Sequence, residues 1–149
     1  MESDYDIDVL LVEDRPADMR LTKEAFHHLG KPTRLHHAWD GVEAMDFINR
    51  KGSFGDAPRP DLVIIDLNLP RIDGREVLAR IKGDPHLRAI SAIILTASDS
   101  EADILLCYRL HANCYLRKPA GWDDFDYLVS SIDRFWLNKS KSPRRKSTV

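Results

Sequence analysis

The sequence has little of what marks secreted, membrane or repeat proteins. Its 149 residues include two cysteines, Cys107 and Cys114, too few for a disulfide framework and in keeping with reduced thiols. Apolar runs such as Val9–Val12 and Leu62–Ile65 span four residues, far short of the roughly 20 that cross a bilayer. No signal-peptide pattern opens the chain, so a cytoplasmic location is expected. No block recurs at a period of about 20–50 residues, which excludes solenoids and propellers. Neither sign of charge dominates, at a net −2. The last eleven residues carry Lys139, Lys141, Arg144, Arg145 and Lys146 and no acid, which leaves the remainder at −7. That balance argues against a large nucleic-acid-binding face.

What the chain does have is an alternation of element types. Solid apolar runs at Val9–Val12, Leu62–Ile65 and Ala92–Leu95, with weaker ones at Arg34–Trp39 and Asn113–Leu116, suit strands covered on both faces, as in parallel sheets. Between them lie stretches of helical spacing. Ala17, Leu21, Ala25 and Leu29 recur at i+4 and are stopped by Gly30. Asp40 and Glu43 make a capping-box pattern ahead of Val42, Met45 and Ile48. Val77, Leu78 and Ile81 precede Gly83. Phe125, Leu128, Val129, Ile132, Phe135 and Trp136 make the best helical stripe. Residues 50–60 read as a long loop. Five strands alternating with five helices predict an α/β, doubly wound, five-stranded parallel sheet over residues 8–138, after an acidic N-terminal extension (1–7) and before a basic, disordered tail (139–149).

In such sheets, ligands sit beyond the carboxyl ends of the strands. There stand Glu13 and Asp14, then Asp66 with Asn68, then Thr96, then Lys118. Three carboxylates packed together resist ionisation unless a cation compensates. Hard divalent ions prefer oxygen, so Glu13, Asp14, Asp66 and the backbone carbonyl of Asn68 are candidate ligands for Mg²⁺ or Mn²⁺. Lys118 and Thr96 supply a charge and a hydroxyl for phosphoryl oxygens, and aspartate is a known covalent acceptor. The set reads as an aspartyl-phosphate site with Asp66 as nucleophile.

The segments VEDRPAD (Val12–Asp18), DLNLPRIDG (Asp66–Gly74), ILTAS (Ile94–Ser98) and YLRKP (Tyr115–Pro119) resemble the receiver domain of two-component response regulators. The loop ending APRPDL and the NCYLRKP block are similar to the single-domain regulators of bacterial and cyanobacterial phytochromes. The resemblance implies a flavodoxin-like receiver fold of strand order 2-1-3-4-5. It also implies Asp66 as phosphoacceptor, Glu13 and Asp14 as the acidic pair, Thr96 as switch hydroxyl, Lys118 as the phosphoryl-binding lysine and Tyr115 as the aromatic switch. The partner implied is a sensor histidine kinase of phytochrome type. The role implied is a signalling protein rather than an enzyme beyond its own phosphorylation and slow dephosphorylation. His111 departs from the family, which usually carries glycine before Ala112, so the turn there is in question.

On the family mechanism Thr96 and Tyr115 point away from Asp66 at rest and move in upon phosphorylation, altering the surface of the fourth helix, last strand and fifth helix. A helical wheel places Ile104, Tyr108 and Ala112 on one face and Leu106 and Leu110 opposite, with Tyr127 outside the fifth-helix stripe. Leu106, Leu110 and Tyr127 are therefore candidate contacts of a homodimer or partner face, against the plainer reading of scattered surface residues. Small Ala97 and polar Asn68 admit water without offering a general acid, which predicts slow dephosphorylation. Two other functions compete. A haloacid-dehalogenase-like phosphohydrolase would place a second Asp where Asn68 stands. An FMN binder would need a phosphate cradle where Glu13 and Asp14 repel phosphate. The pairs His27–His28 and His36–His37 are adjacent in sequence and do not share a face, which disfavours joint metal ligation.

Overall fold

The computed structural model describes residues 7–30 and 32–138. Five strands, β1 (Ile7–Val12), β2 (Thr33–Ala38), β3 (Leu62–Ile65), β4 (Ser91–Thr96) and β5 (Cys114–Arg117), alternate with five helices. The helices are α1 (Pro16–His28), α2 (Gly41–Asn49), α3 (Gly74–Gly83), α4 (Glu101–Arg109) and α5 (Trp122–Ile132). The strands pair in parallel in the order β2-β1-β3-β4-β5. The doubly wound α/β sheet expected from the apolar runs is the architecture found. The acidic extension and the basic tail lie outside the described residues, apart from Ile7, which opens β1. Among the described residues no helix is long and apolar enough to cross a membrane.

The solid runs are solid because both faces of the sheet are covered. Every residue of β1 and β3 is buried. Leu10, Val63, Ile65 and Ile94 pack with Met45, Leu78, Ile81 and Cys107 on one side. Leu11, Ile64 and Ile93 pack with Phe26, Val129 and Ile132 on the other. Each fully buried Leu or Ile contributes about 1.5–3 kcal/mol, so these two layers supply the main driving force.

Local punctuation agrees with the sequence in most places. Asp40 Oδ1 accepts the Glu43 N–H at 2.8 Å, and Glu43 Oε1 accepts the Trp39 N–H at 2.7 Å, a capping box displaced by one residue. Gly30 takes φ +65 after α1, the left-handed stop. The long loop holds one turn of 3₁₀ helix, Gly52–Phe54, and past Ile132 the chain continues through a π-helical segment, Asp133–Asn138. His111 does adopt φ +71, the conformation for which glycine is the easier residue, so it bears a local strain.

The wheel for α4 needs correcting. Cys107 is its buried residue, Ile104 and Leu110 are half-buried, and Tyr108 is exposed. Asp103, Cys107 and Leu110 form the inward stripe at i, i+4, i+7, and because the stripe begins with a charge it is invisible to a hydrophobic pattern. Leu110 packs partly on the core, so it is not a free surface residue, whereas Leu106 and Tyr127 are exposed, as are Leu105 and Tyr108.

The loop after β3 is pressed against the start of α3. The Gly74 N–H donates to the Leu67 carbonyl at 2.9 Å, and a Cβ on Gly74 would run into the Asp66 carbonyl oxygen. Gly74→Ala is expected to lower unfolding free energy by about 1–3 kcal/mol in urea titration. Gly83→Ala, whose added carbon meets nothing within 4 Å, is the near-neutral control.

Candidate functional site

Four strand ends converge at one edge of the sheet. β1 runs out into Glu13 and Asp14, β3 into Asp66, and β4 ends on Thr96. The loop after β5 is tied to β4 by the Lys118 N–H donating to the Thr96 carbonyl at 2.7 Å. The structure thus brings together Glu13, Asp14, Asp66, Thr96 and Lys118.

Lys118 is the centre of the arrangement. Its ammonium lies 2.8 Å from Glu13 Oε1, 2.8 Å from Asp66 Oδ2 and 2.8 Å from Asp18 Oδ2, with the side chain only 8% exposed. Burial by itself would lower the lysine pKa, but hydrogen bonds to Asp18, Asp66 and Glu13 outweigh it and hold the ammonium firmly charged. Burial pushes Asp66 up, yet the Lys118 hydrogen bond and charge, aided by the Asn68 N–H, leave it below the usual carboxylate value. Asp66 is therefore held as a carboxylate at neutral pH. For Glu13 burial wins, and its pKa is pushed up to about 7 despite Lys118 and the Arg15 N–H.

Glu13, Asp14 and Asp66 each place a carboxylate oxygen within 4.8 Å of the others. Two buried polar atoms at this edge, Asp14 Oδ1 and Thr96 Oγ1, have no hydrogen-bond partner among the described residues. Buried orphans of this kind are costly, and their placement beside a nucleophilic carboxylate is where a cation and a phosphoryl oxygen would satisfy them. The Asn68 N–H faces Asp66 Oδ1 at 3.4 Å.

The expectation that Thr96 and Tyr115 point away is corrected. Thr96 is fully buried beside Asp66. The Tyr115 ring packs against the core, with its hydroxyl donating to the Ser98 carbonyl at 2.8 Å and its N–H donating to Tyr108 Oη at 3.2 Å. A reachable carbonyl in the loop after β4 makes this position favourable.

Sequence reasoning missed Asp18, although it closes the VEDRPAD segment. Only its position three residues into α1, facing the β5–α5 loop, reveals it. It also missed a polar line away from the site. Arg75 donates to both carboxylate oxygens of Asp73 (3.0 and 2.9 Å) and to Asp103 Oδ1 (2.8 Å). Asp103 Oδ2 accepts from Ser98 Oγ at 2.7 Å. His36 and His37 face different partners, Asp8 at 2.9 Å and the Glu13 carbonyl at 2.7 Å.

Residues 9–130 match the response regulator receiver domain family. Response regulator Rcp1 of Synechocystis sp. is 43% identical over 135 residues, 91% of this chain and 92% of its own length. The crystal structure of the phosphorylated cyanobacterial phytochrome response regulator RcpA superposes with a TM-score of 0.89 at 42% identity, over 93% of this chain and 99% of that one. The Mn²⁺-bound form of Rcp1 superposes at 0.86 with 42% identity, over 92% and 99%. With acids, hydroxyl and lysine at matching strand ends, the chain belongs to the response regulator receiver domain family.

Proposed function

We propose that the chain receives a phosphoryl group on Asp66 from the phosphohistidine of a sensor histidine kinase of phytochrome type. The observation that carries the proposal is an ionised Asp66 whose Oδ2 lies 2.8 Å from Lys118, beside two orphaned buried oxygens. The phytochrome partner is favoured by the likeness to RcpA, and it implies a cytoplasmic site of action.

The donor set fits a hard divalent cation: three carboxylates, one with an unpartnered buried oxygen, would hold it, and the Asn68 carbonyl would add a fourth ligand. Mg²⁺ or Mn²⁺ bound there supplies positive charge against the phosphoryl oxygens, and a Mn²⁺-bound relative supports the choice. The chain's own residues do the rest. Asp66 attacks phosphorus, the P–N bond breaks, and the imidazole leaves with its electron pair. Lys118 and Thr96 donate hydrogen bonds to phosphoryl oxygens, where charge accumulates. Thr96 so engaged favours the inward Tyr115, and Ser98, Asp103 and Arg75 carry the change to α4. Exposed Asn68 and small Ala97 admit water while themselves offering it no general acid, so hydrolysis is expected to be slow.

The output surface is α4–β5–α5, which serves as the face of a homodimer. Leu105, Leu106, Tyr108, Tyr127 (70% exposed) and Phe135 are exposed apolar side chains on or beside it. Next to Tyr127, an almost wholly apolar groove of about 480 Å³ runs between β5 and α5, lined by Cys114, Leu116, Leu128, Ile132 and Phe135.

Incubation with acetyl phosphate and Mg²⁺, followed by intact mass, is expected to add one phosphoryl group, and Asp66→Asn to take none. The phosphorylated protein is expected to sediment as a dimer, and the double variant Tyr127→Asp, Phe135→Asp as a monomer that is labelled normally. A pH dependence also follows from Glu13. Its folded pKa of about 7 lies above the ordinary 4.5, so its stabilisation is full below 4.5 and lost as pH rises through 7. His37, whose pKa burial lowers, acts oppositely in part of that window. The difference between parent and Glu13→Gln isolates the acid. In metal-free buffer the variant is expected to gain on the parent from pH 4.5 to 7.5, by on the order of 2–3 kcal/mol in urea titrations.

A further inference from the structure

An ammonium has three N–H donors, and around Lys118 three carboxylates face them at equal distance. Glu13 and Asp66 belong to the cluster suited to a cation, whereas Asp18 stands outside it. Asp18 comes from the first turn of α1, 100 residues away in sequence. There the helix dipole favours its negative charge, and Arg15 Nε flanks it at 3.4 Å. Its side chain is one-fifth exposed, so the contact with Lys118 lies at the mouth of the site.

Resting on the phosphoacceptor reading above, we infer that Asp18 is a positioning residue for phosphoryl transfer: it anchors the Lys118 ammonium on the α1 side, so that another N–H is aimed at the phosphoryl group. With acetyl phosphate, an Asp66 oxygen attacks phosphorus, the bond from phosphorus to the acetate oxygen breaks, and acetate leaves with the electron pair. In the return step a water oxygen attacks phosphorus, the Asp66 O–P bond breaks, and Asp66 departs as a carboxylate while inorganic phosphate takes the water's remaining hydrogen and releases a proton. In both steps the charge that Asp66 offers Lys118 passes between its own oxygen and the phosphoryl oxygens. Asp18 is the one of the three carboxylates that neither bonds to phosphorus nor belongs to the cluster suited to a cation, and its contact with Lys118 is 2.8 Å.

Two effects of removing that charge oppose each other. An anionic donor would approach more easily, but the ammonium would lose its fixed direction. The first acts at the exposed mouth, where solvent and salt screen it. The second acts at 2.8 Å on the group that meets the transition state, where a misplacement of about 1 Å is worth up to 10²-fold. The positioning effect wins, and it slows both directions.

The test compares Asp18→Asn with the parent in the full chain. Formation of Asp66 phosphate from acetyl phosphate and Mg²⁺, and its loss after donor removal, are both expected to slow by about tenfold. Mg²⁺ affinity from tryptophan fluorescence, and the melting temperature, are expected to stay close to the parent's. In metal-free protein the ¹⁵Nζ resonance of Lys118, slow to exchange in the parent, is expected to broaden in the variant. Unchanged rates, faster formation, or a slow rate matched by equally weakened Mg²⁺ binding would overturn the assignment. A parent that takes no label fails the phosphoacceptor reading itself; a labelled parent beside an unaffected variant fails only the role of Asp18.

Discussion

One buried ammonium makes this edge of the sheet possible. Glu13, Asp18 and Asp66 surround Lys118, and Asp14 lies beside them. Unit charges about 4 Å apart interact by about 4 kcal/mol at an effective dielectric of 20. Four acids without the lysine would therefore be driven to take up protons, and the nucleophile would be lost. With it, Asp66 stays ionised, and the protonation cost falls on Glu13, the acid whose burial is least compensated. One cation against several anions is still an incomplete balance, and that incompleteness is what gives the site its appetite for a divalent ion.

The same electrostatics reaches the output surface. α4 buries only Cys107, so apolar packing holds it weakly. It is held instead by Arg75 bridging Asp73 and Asp103, by Ser98 on Asp103, and by the Tyr108 hydroxyl accepting from the Tyr115 N–H. A helix fixed by a few polar contacts has more than one affordable position, unlike one keyed into a close-packed core. The exposed Leu105, Leu106 and Tyr108 stand on that lightly packed helix.

Fold and chemistry were legible to different depths. The five runs declared the sheet because strands covered on both faces have no polar side to interrupt them. Asp66, Glu13, Asp14, Thr96 and Lys118 were legible because each directly follows such a run, and a parallel sheet places all those ends together. α4 was misread because its inward stripe starts with Asp103, whose burial depends on Arg75 from another helix. Tyr115 was read as pointing outward because no pattern along the chain announces that the Ser98 carbonyl waits for its hydroxyl. His111 was flagged by its identity alone, and its positive φ bears out that the turn there is unusual.

By itself, then, the amino-acid order determined the architecture and the set of reacting groups, since periodicity and adjacency to a strand end are properties of short segments. Tertiary structure decided which acids share the lysine, where the protons sit, which face of α4 looks inward and which way the switch tyrosine lies. Those outcomes depend on distances between residues as far apart as Asp18 and Lys118, or Arg75 and Asp103. Burial and charge act through such distances, and a linear pattern does not contain them.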